Sequence, residues 1–206
     1  MRRICIVFAR VPRLGTVKRR LAHDIGGRAA LRFYRNTTAR LLRALAADRR
    51  FRTILAQTPD PPYARWRVPT PRIGQGRGDL GERMQRACAR FPHAQVAIVG
   101  SDIPALTAND VAAAFRALGA NRAVFGPAQD GGYYLVGFGP RRPAHPFARV
   151  RWSTSHALAD TLRNQRGPVA LLHPLDDVDT AASYSAANPG KIGSSTRKSR
   201  SATQQR

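Results

Sequence analysis

The sequence predicts a layered α/β domain, on three observations. Short apolar runs of strand length recur along the chain, amphipathic segments of helical period lie between them, and the most apolar run, 96–100, is followed at once by Ser101 and Asp102. Residues 4–8 (Ile-Cys-Ile-Val-Phe) read as a first buried strand, and a Pro- and Gly-containing loop over 10–16 follows. Leu31, Tyr34, Thr38, Leu41, Leu42 and Leu45 share one face of a long helix. Residues 52–57 read as a second strand. Pro59, Pro61, Pro62, Pro69 and Pro71 then make an irregular connection. Asp79 is placed to cap a helix whose Leu80, Met84, Ala87, Cys88 and Phe91 share a face. After the strand at 96–100, Thr107 and Asp110 form a capping-box start for a helix carrying Val111, Ala114, Phe115 and Leu118. Residues 123–125 and 133–138 are two further strands. Ser153 or Ser155 is the expected cap of a short helix with Leu158 and Leu162, and 169–172 is a last strand.

The bulk properties narrow the classes. The 206 residues suffice for one well-buried core, and 43% hydrophobic content is ordinary for a globular domain. The net charge of +23 is not ordinary, and arginine supplies nearly all of it: Lys18, Lys191 and Lys198 are the only lysines. Such a field attracts anions without choosing among them. The arginines are scattered through every segment and are not interleaved with aromatics, a pattern that does not mark a dedicated nucleic-acid surface. Cys5 and Cys88 stand apart within apolar patterns and read as buried thiols. The apolar run after Met1 stops at Arg10, too short for a signal peptide, and no stretch approaches a membrane span. A cytoplasmic protein is expected, with one domain over 1–186 and a disordered basic tail over 187–206.

Three segments carry candidate chemistry. In open α/β sheets the ligand crevice lies outside the carboxyl ends of the strands, so Asp102 is a carboxylate delivered to such an edge, or else part of a simple turn. The first loop (Ala-Arg-Val-Pro-Arg-Leu-Gly-Thr-Val-Lys-Arg-Arg-Leu) is either a phosphate cradle or an exposed basic turn. As a cradle, Gly15 would allow close backbone approach, with Lys18 and Arg20 as charge-assisted donors. It is neither a Walker loop nor a Gly-x-Gly-x-x-Gly loop. Asp130-Gly131-Gly132 between two strands reads as a hairpin turn, or as amides approaching a ligand with Asp130 aimed at a hydroxyl. Asp176, Asp177 and Asp179 follow the last strand. Asp179 with Asp102 would give hard oxygen ligands for Mg²⁺ or Mn²⁺ if the fold brings the strand ends together. No Ser-His-Asp or Cys-His spacing argues for a covalent nucleophile.

Taken in order, Phe-Ala-Arg-x-Pro-x-x-Gly-x-x-Lys-x-Arg-Leu, Gly-Asp-Leu-Gly-Glu-Arg-Met, Gly-Ser-Asp-x-Pro, Gly-Pro-x-x-Asp-Gly-Gly-Tyr-Tyr-Leu and Asp-Val-Asp-Thr give the chain a resemblance over about 3–183. It resembles the bacterial DUF2064 family, of the nucleotide-diphospho-sugar transferase (GT-A) superfamily. The resemblance implies a single Rossmann-like α/β/α sandwich with a mostly parallel sheet. It implies phosphate or nucleotide contacts at Arg10, Gly15, Lys18, Arg20, Gly131 and Gly132, and a metal on Asp102 and Asp179. It also implies a metal-dependent transferase using a nucleotide-sugar donor and a small-molecule acceptor, with Asp102 and Asp130 in catalysis. Two departures stand out: Arg10 replaces an expected lysine, and Ala-Ala-Ser-Tyr replaces an acidic continuation after Thr180. A nucleotidyltransferase releasing pyrophosphate shares the same site parts. A non-catalytic nucleotide- or nucleic-acid-binding protein is the competing class.

Overall fold

Alternation in the first strand sets the layering. In β1 (Arg3–Arg10) Cys5, Val7 and Ala9 enter one hydrophobic cluster while Ile4 and Ile6 enter another on the opposite face of the sheet. The computed structural model describes residues 1–60, 66, 68–175, 178 and 184. Seven strands form one sheet in the order β3-β2-β1-β4-β6-β5-β7: β2 (Arg52–Thr58), β3 (Arg72–Gly74), β4 (Gln95–Gly100), β5 (Ala123–Pro127), β6 (Tyr133–Phe138) and β7 (Val169–Leu171). All pairs are parallel except the two made by β6, which runs antiparallel to β4 and β5. The expected single α/β/α sandwich with a mostly parallel sheet is therefore present.

Five helices lie wholly within the described residues: α1 (Arg19–Ile25), α2 (Gly27–Ala47), α3 (Leu80–Ala89), α4 (Ala108–Ala117) and α5 (Ala157–Arg163). Leu41, Leu42 and Leu45 of α2 pack with Val111 and Phe115 of α4 over Val7, Leu55 and Val99. On the other face Met84, Ala87 and Cys88 of α3 pack on Ile6, Ile98, Phe125 and Phe138, joined by Leu158 and Leu162 of α5. Burying each such Leu or Phe contributes about 1.5–3 kcal/mol relative to exposure, so both helical layers are held mainly by these faces.

The predicted Asp79 cap and the predicted Thr107–Asp110 capping box both form, and Glu82 completes a second box with Asp79. Asp79 accepts from the Glu82 amide while Glu82 returns to the Asp79 amide, and Thr107 and Asp110 do the same for α4. The expected Ser153 or Ser155 cap does not form. The N-cap of α5 is His156 and makes no side-chain cap bond. Its entry is fixed instead by Asp160, which accepts from the Arg151 amide and guanidinium, and by Thr154, which bonds the Arg151 carbonyl and the His156 amide. Two elements lack any sequence signature. β3 has three residues, and α1 buries only Leu21 behind a lysine that supplies no side-chain cap.

Candidate functional site

The chain runs from β1 to β2 on one side and later returns to β4 on the other, so β1 and β4 flank a switch in strand order. In open α/β sheets the ligand crevice lies at such a point, outside the carboxyl ends of the strands. The last β1–β4 pair is Phe8 with Gly100. Beyond it β1 continues along β2 as far as Arg10 and Thr58, whereas β4 turns away through Ser101 and Asp102.

The parting of the strands leaves the Arg10 main chain without a β4 partner, and Tyr34 of α2 fills the gap. Its hydroxyl accepts from the Arg10 amide at 2.9 Å and lies 3.0 Å from the Arg10 carbonyl and 3.1 Å from Ser101 Oγ. A phenol has one proton, so the arrangement closes when Tyr34 donates to the Arg10 carbonyl and Ser101 donates to Tyr34. Thr38, one turn along α2, donates to the Ser101 carbonyl at 3.4 Å. Tyr34 and Ser101 are both buried. Burial pushes the Tyr34 phenol above its ordinary pKa, and its bonds to Ser101 and Arg10 offset part of that rise.

The loop after β1 turns tightly: Thr16 donates to the Arg13 carbonyl through both its amide and its hydroxyl, and Gly15 sits at φ +76°. Val17 is buried, and Lys18 opens α1 in the left-handed region at φ 48°. A lysine held there carries backbone strain of about 1–2 kcal/mol, which the surroundings must offset. The same geometry delivers its side chain inward. Lys18 Nζ lies 2.7 Å from Asp102 Oδ2, with the lysine side chain 3% exposed and the aspartate 34%. Arg10 at the end of β1, Arg13 in the loop and Arg19 and Arg20 in the first turn of α1 are all exposed and lie close to Lys18 in sequence. The segment that delivers Lys18 to the crevice is therefore strongly cationic.

Asp130, Gly131 and Gly132 form the β5–β6 turn, at the same sheet edge because β5 ends and β6 begins there. The hairpin reading holds. Asp130 Oδ1 accepts from the Gly132 amide at 2.9 Å, and the Gly131 amide donates to Ala128. Gly131 has φ +81°, and a Cβ there would run into the Ser155 carbonyl, whose segment is tied on by the Leu158 amide bonding Gly131. β7 leads to this edge as well, with the Leu175 amide on the Pro127 carbonyl. Asp176, Asp177 and Asp179 lie outside the described residues, as does the expected tail over 187–206. Val178 is described: it is buried with Leu21 of α1 and Ala30 of α2. Among the described residues no three of His, Cys, Asp or Glu gather at metal-binding distance, and no helix is long and apolar enough to cross a membrane.

The Gly-Asp-Leu-Gly-Glu-Arg-Met stretch has a structural explanation. Asp79 and Glu82 cap α3, Gly81 lets Phe147 and Trp152 approach where a Cβ would stand 2.9 Å from each, and Met84 is core. Sequence reasoning placed Tyr34 on an apolar helix face without assigning its hydroxyl, and it missed Gln75. That buried amide donates to the carbonyls of Ala9 and Ala56 and so ties the ends of β1 and β2. The signal for both was a polar group that burial obliges to find partners.

The chain is similar to several solved structures. It is 29% identical to a protein of Desulfovibrio desulfuricans G20 described as a "putative nucleotide-diphospho-sugar transferase", with a TM-score of 0.80 over 94% of this chain and 90% of that one. Rv0371c of Mycobacterium tuberculosis H37Rv, solved in complex with manganese, shares the fold at 18% identity and a TM-score of 0.56, over 92% of this chain and 100% of that one. So does a 4-diphosphocytidyl-2C-methyl-D-erythritol synthase of Anaerococcus prevotii DSM 20548, at 12% identity and a TM-score of 0.59, over 91% of this chain and 95% of that one. No curated protein sequence matches. The model of the family described as "Uncharacterized protein conserved in bacteria (DUF2064)" matches residues 37–154, from the middle of α2 through β4, Asp102 and the β5–β6 turn, and the chain belongs to that family.

Proposed function

We propose that the protein is a transferase acting on a nucleotide or nucleotide-sugar donor whose phosphates lie in the β1–β4 crevice. The observation that carries this reading is the Lys18–Asp102 pair, a buried ammonium on a partly open carboxylate at a switch in strand order. The exposed arginines that flank Lys18 in sequence favour an anionic ligand. The 29%-identical relative described as a nucleotide-diphospho-sugar transferase agrees with this class.

In this reading Gly15 lets the loop backbone approach the diphosphate, Lys18 and Arg20 donate charge-assisted bonds to its oxygens, and Arg10 adds a guanidinium at the mouth. Asp102 offers a hard carboxylate oxygen of the kind Mg²⁺ or Mn²⁺ prefers, and we assign Asp179 as the second ligand. Val178, the residue before Asp179, packs on Leu21 of the helix that Lys18 opens, which supports that assignment. The manganese complex of the mycobacterial protein of the same fold agrees with a divalent ion. A divalent ion there supplies charge neutralisation of the leaving phosphate. Lys18 then exchanges a carboxylate partner for a phosphate one. Asp130 holds the turn with Oδ1, and its other oxygen serves to orient an acceptor hydroxyl or accept its proton. Gly131 and Gly132 contribute through the turn they allow. We assign glycosyl transfer to a small-molecule acceptor, with nucleoside diphosphate leaving, in the cytoplasm where such donors are made. Nucleotidyl transfer with release of pyrophosphate is the second reading, favoured by the fold shared with the diphosphocytidyl-methylerythritol synthase.

The test is titration of UDP-, GDP- and CDP-sugars and of nucleoside triphosphates, with and without Mn²⁺, followed by mass spectrometry of the products. Metal-dependent binding of one donor, lost in Asp102→Asn, is expected. Release of nucleoside diphosphate or of pyrophosphate separates the two readings. The proposal fails if no donor binds in a metal-dependent way and Asp102→Asn changes nothing. Salt-sensitive RNA binding in that case would favour the binding-protein class.

A further inference from the structure

We propose that Tyr34 is the positioning residue of this crevice: its buried hydroxyl replaces a β-ladder partner where β1 and β4 part, and so fixes Asp102 against Lys18. The inference deepens the reading of the crevice as the donor site, but the geometry it concerns does not depend on which donor binds.

An extended residue directs its N–H and C=O to the same side, and a neighbouring strand normally takes both. Arg10 is such a residue two positions past the last β4 pair, with the next amide, Val11, already committed to the Thr58 carbonyl on the β2 side. Tyr34 receives the Arg10 amide at 2.9 Å and faces its carbonyl at 3.0 Å, while reaching Ser101 Oγ at 3.1 Å. One oxygen atom thus bridges the ends of two strands at the place where they open. Below it the loop to Lys18 begins, and beside it stands Asp102, next in sequence to Ser101. Thr38 holds the Ser101 carbonyl from the same helix, so α2 grips both main-chain and side-chain atoms of the residue that precedes the carboxylate.

The aromatic ring alone would serve packing, since Tyr34 is 4% exposed. The hydroxyl has a different job: without it the half-buried Arg10 amide and carbonyl bonds and the buried Ser101 Oγ lose their partner. The cost of such orphaned groups is relieved when the strand ends separate and admit water. Separation moves Asp102 away from the lysine that its Oδ2 meets at 2.7 Å.

The chain has only three lysines, which makes the pairing directly measurable. Native protein is treated with limiting acetic anhydride, and acetylation of Lys18 is read by mass spectrometry relative to Lys191 and Lys198. In Tyr34→Phe, Lys18 acetylation is expected to rise about five-fold relative to the other two, the order of one lost hydrogen bond. Ser101→Ala cuts only the β4 arm of the bridge and gives a smaller rise in the same direction. Phe138→Leu loosens the opposite core cluster and is expected to lower the thermal midpoint while leaving Lys18 unchanged. Wild-type protection of Lys18 in both Tyr34→Phe and Ser101→Ala overturns the proposal. So does a rise in Phe138→Leu equal to that in Tyr34→Phe, which would make the effect general loosening. Titration of the donor panel with Mn²⁺ runs alongside. If no donor binds the wild type but Lys18 is deprotected in Tyr34→Phe, the donor reading fails and the positioning role stands.

Discussion

Lys18 Nζ and Asp102 Oδ2 meet at 2.7 Å across the β1–β4 crevice, the ammonium almost wholly covered and the carboxylate a third exposed. Removing either partner leaves the other in a place built for an opposite charge. In a double-mutant cycle of Lys18→Met and Asp102→Asn, the two changes should couple by about 1–2 kcal/mol, more than the median exposed pair. Denaturant melts of the wild type, both single variants and the double variant check this. Additivity within error would mean that the pair is a loose surface contact.

Cys5 and Cys88 are both buried, and burial raises both thiols, Cys88 to about 11. At pH 8 neither presents a thiolate, the reactive form. Native protein is therefore expected to show no reaction with a disulfide reagent over minutes, and two equivalents of thiol once unfolded in guanidinium. A fast-reacting thiol in the native state would contradict the placement of these residues in the two core clusters.

Asp160 accepts from the Arg151 amide and guanidinium and from Arg163, and these partners hold its carboxyl far below the usual carboxylate range. The unfolded chain thus takes up a proton at this carboxyl where the folded one does not. Its contribution to stability is complete above the ordinary carboxylate pKa of about 4 and is lost as pH falls below it. Asp160→Asn should lower the thermal midpoint at pH 7 and flatten its decline between about pH 4 and pH 2. The two proteins' midpoints are expected to converge toward the acid end; parallel curves would show that the pair does not act through this titration.

The legible parts of the fold are those written locally. Apolar runs marked every long strand, and the cap at Asp79 and the capping box at Thr107 were visible because such caps act on residues two or three positions away. α1 and β3 were not legible: one buries a single leucine, and the other is three residues placed by pairing with β2. The cap of α5 was misread because Ser153 and Ser155 have the right chemistry, whereas the helix entry is held by Asp160 from within the helix. At the site, the sequence singled out Lys18 and Asp102 separately, and the strand order joins them. Tyr34 read as one more member of an apolar face. Its hydroxyl acquires a task only once α2 lies over the ends of both strands.

Gly15 and Gly131 share a backbone conformation but differ in what surrounds them. Both have positive φ, +76° and +81°, so alanine at either position carries left-handed strain of about 1 kcal/mol. Around Gly15 nothing stands within 4 Å of a Cβ, whereas at Gly131 a Cβ runs into the backbone of Ser155, which cannot swing aside as a side chain would. Gly131→Ala should therefore unfold more easily by at least about 2 kcal/mol, because the β5–β6 turn must part from the start of α5. Gly15→Ala should stay within about 1 kcal/mol of wild type yet lose most of its donor affinity, since the added methyl occupies the space a phosphate would approach. Thermal melts and Mn²⁺-dependent donor titrations on both variants read the contrast. Unchanged donor affinity in Gly15→Ala would leave the loop an exposed basic turn, and wild-type stability in Gly131→Ala would show that the turn and α5 are not in contact.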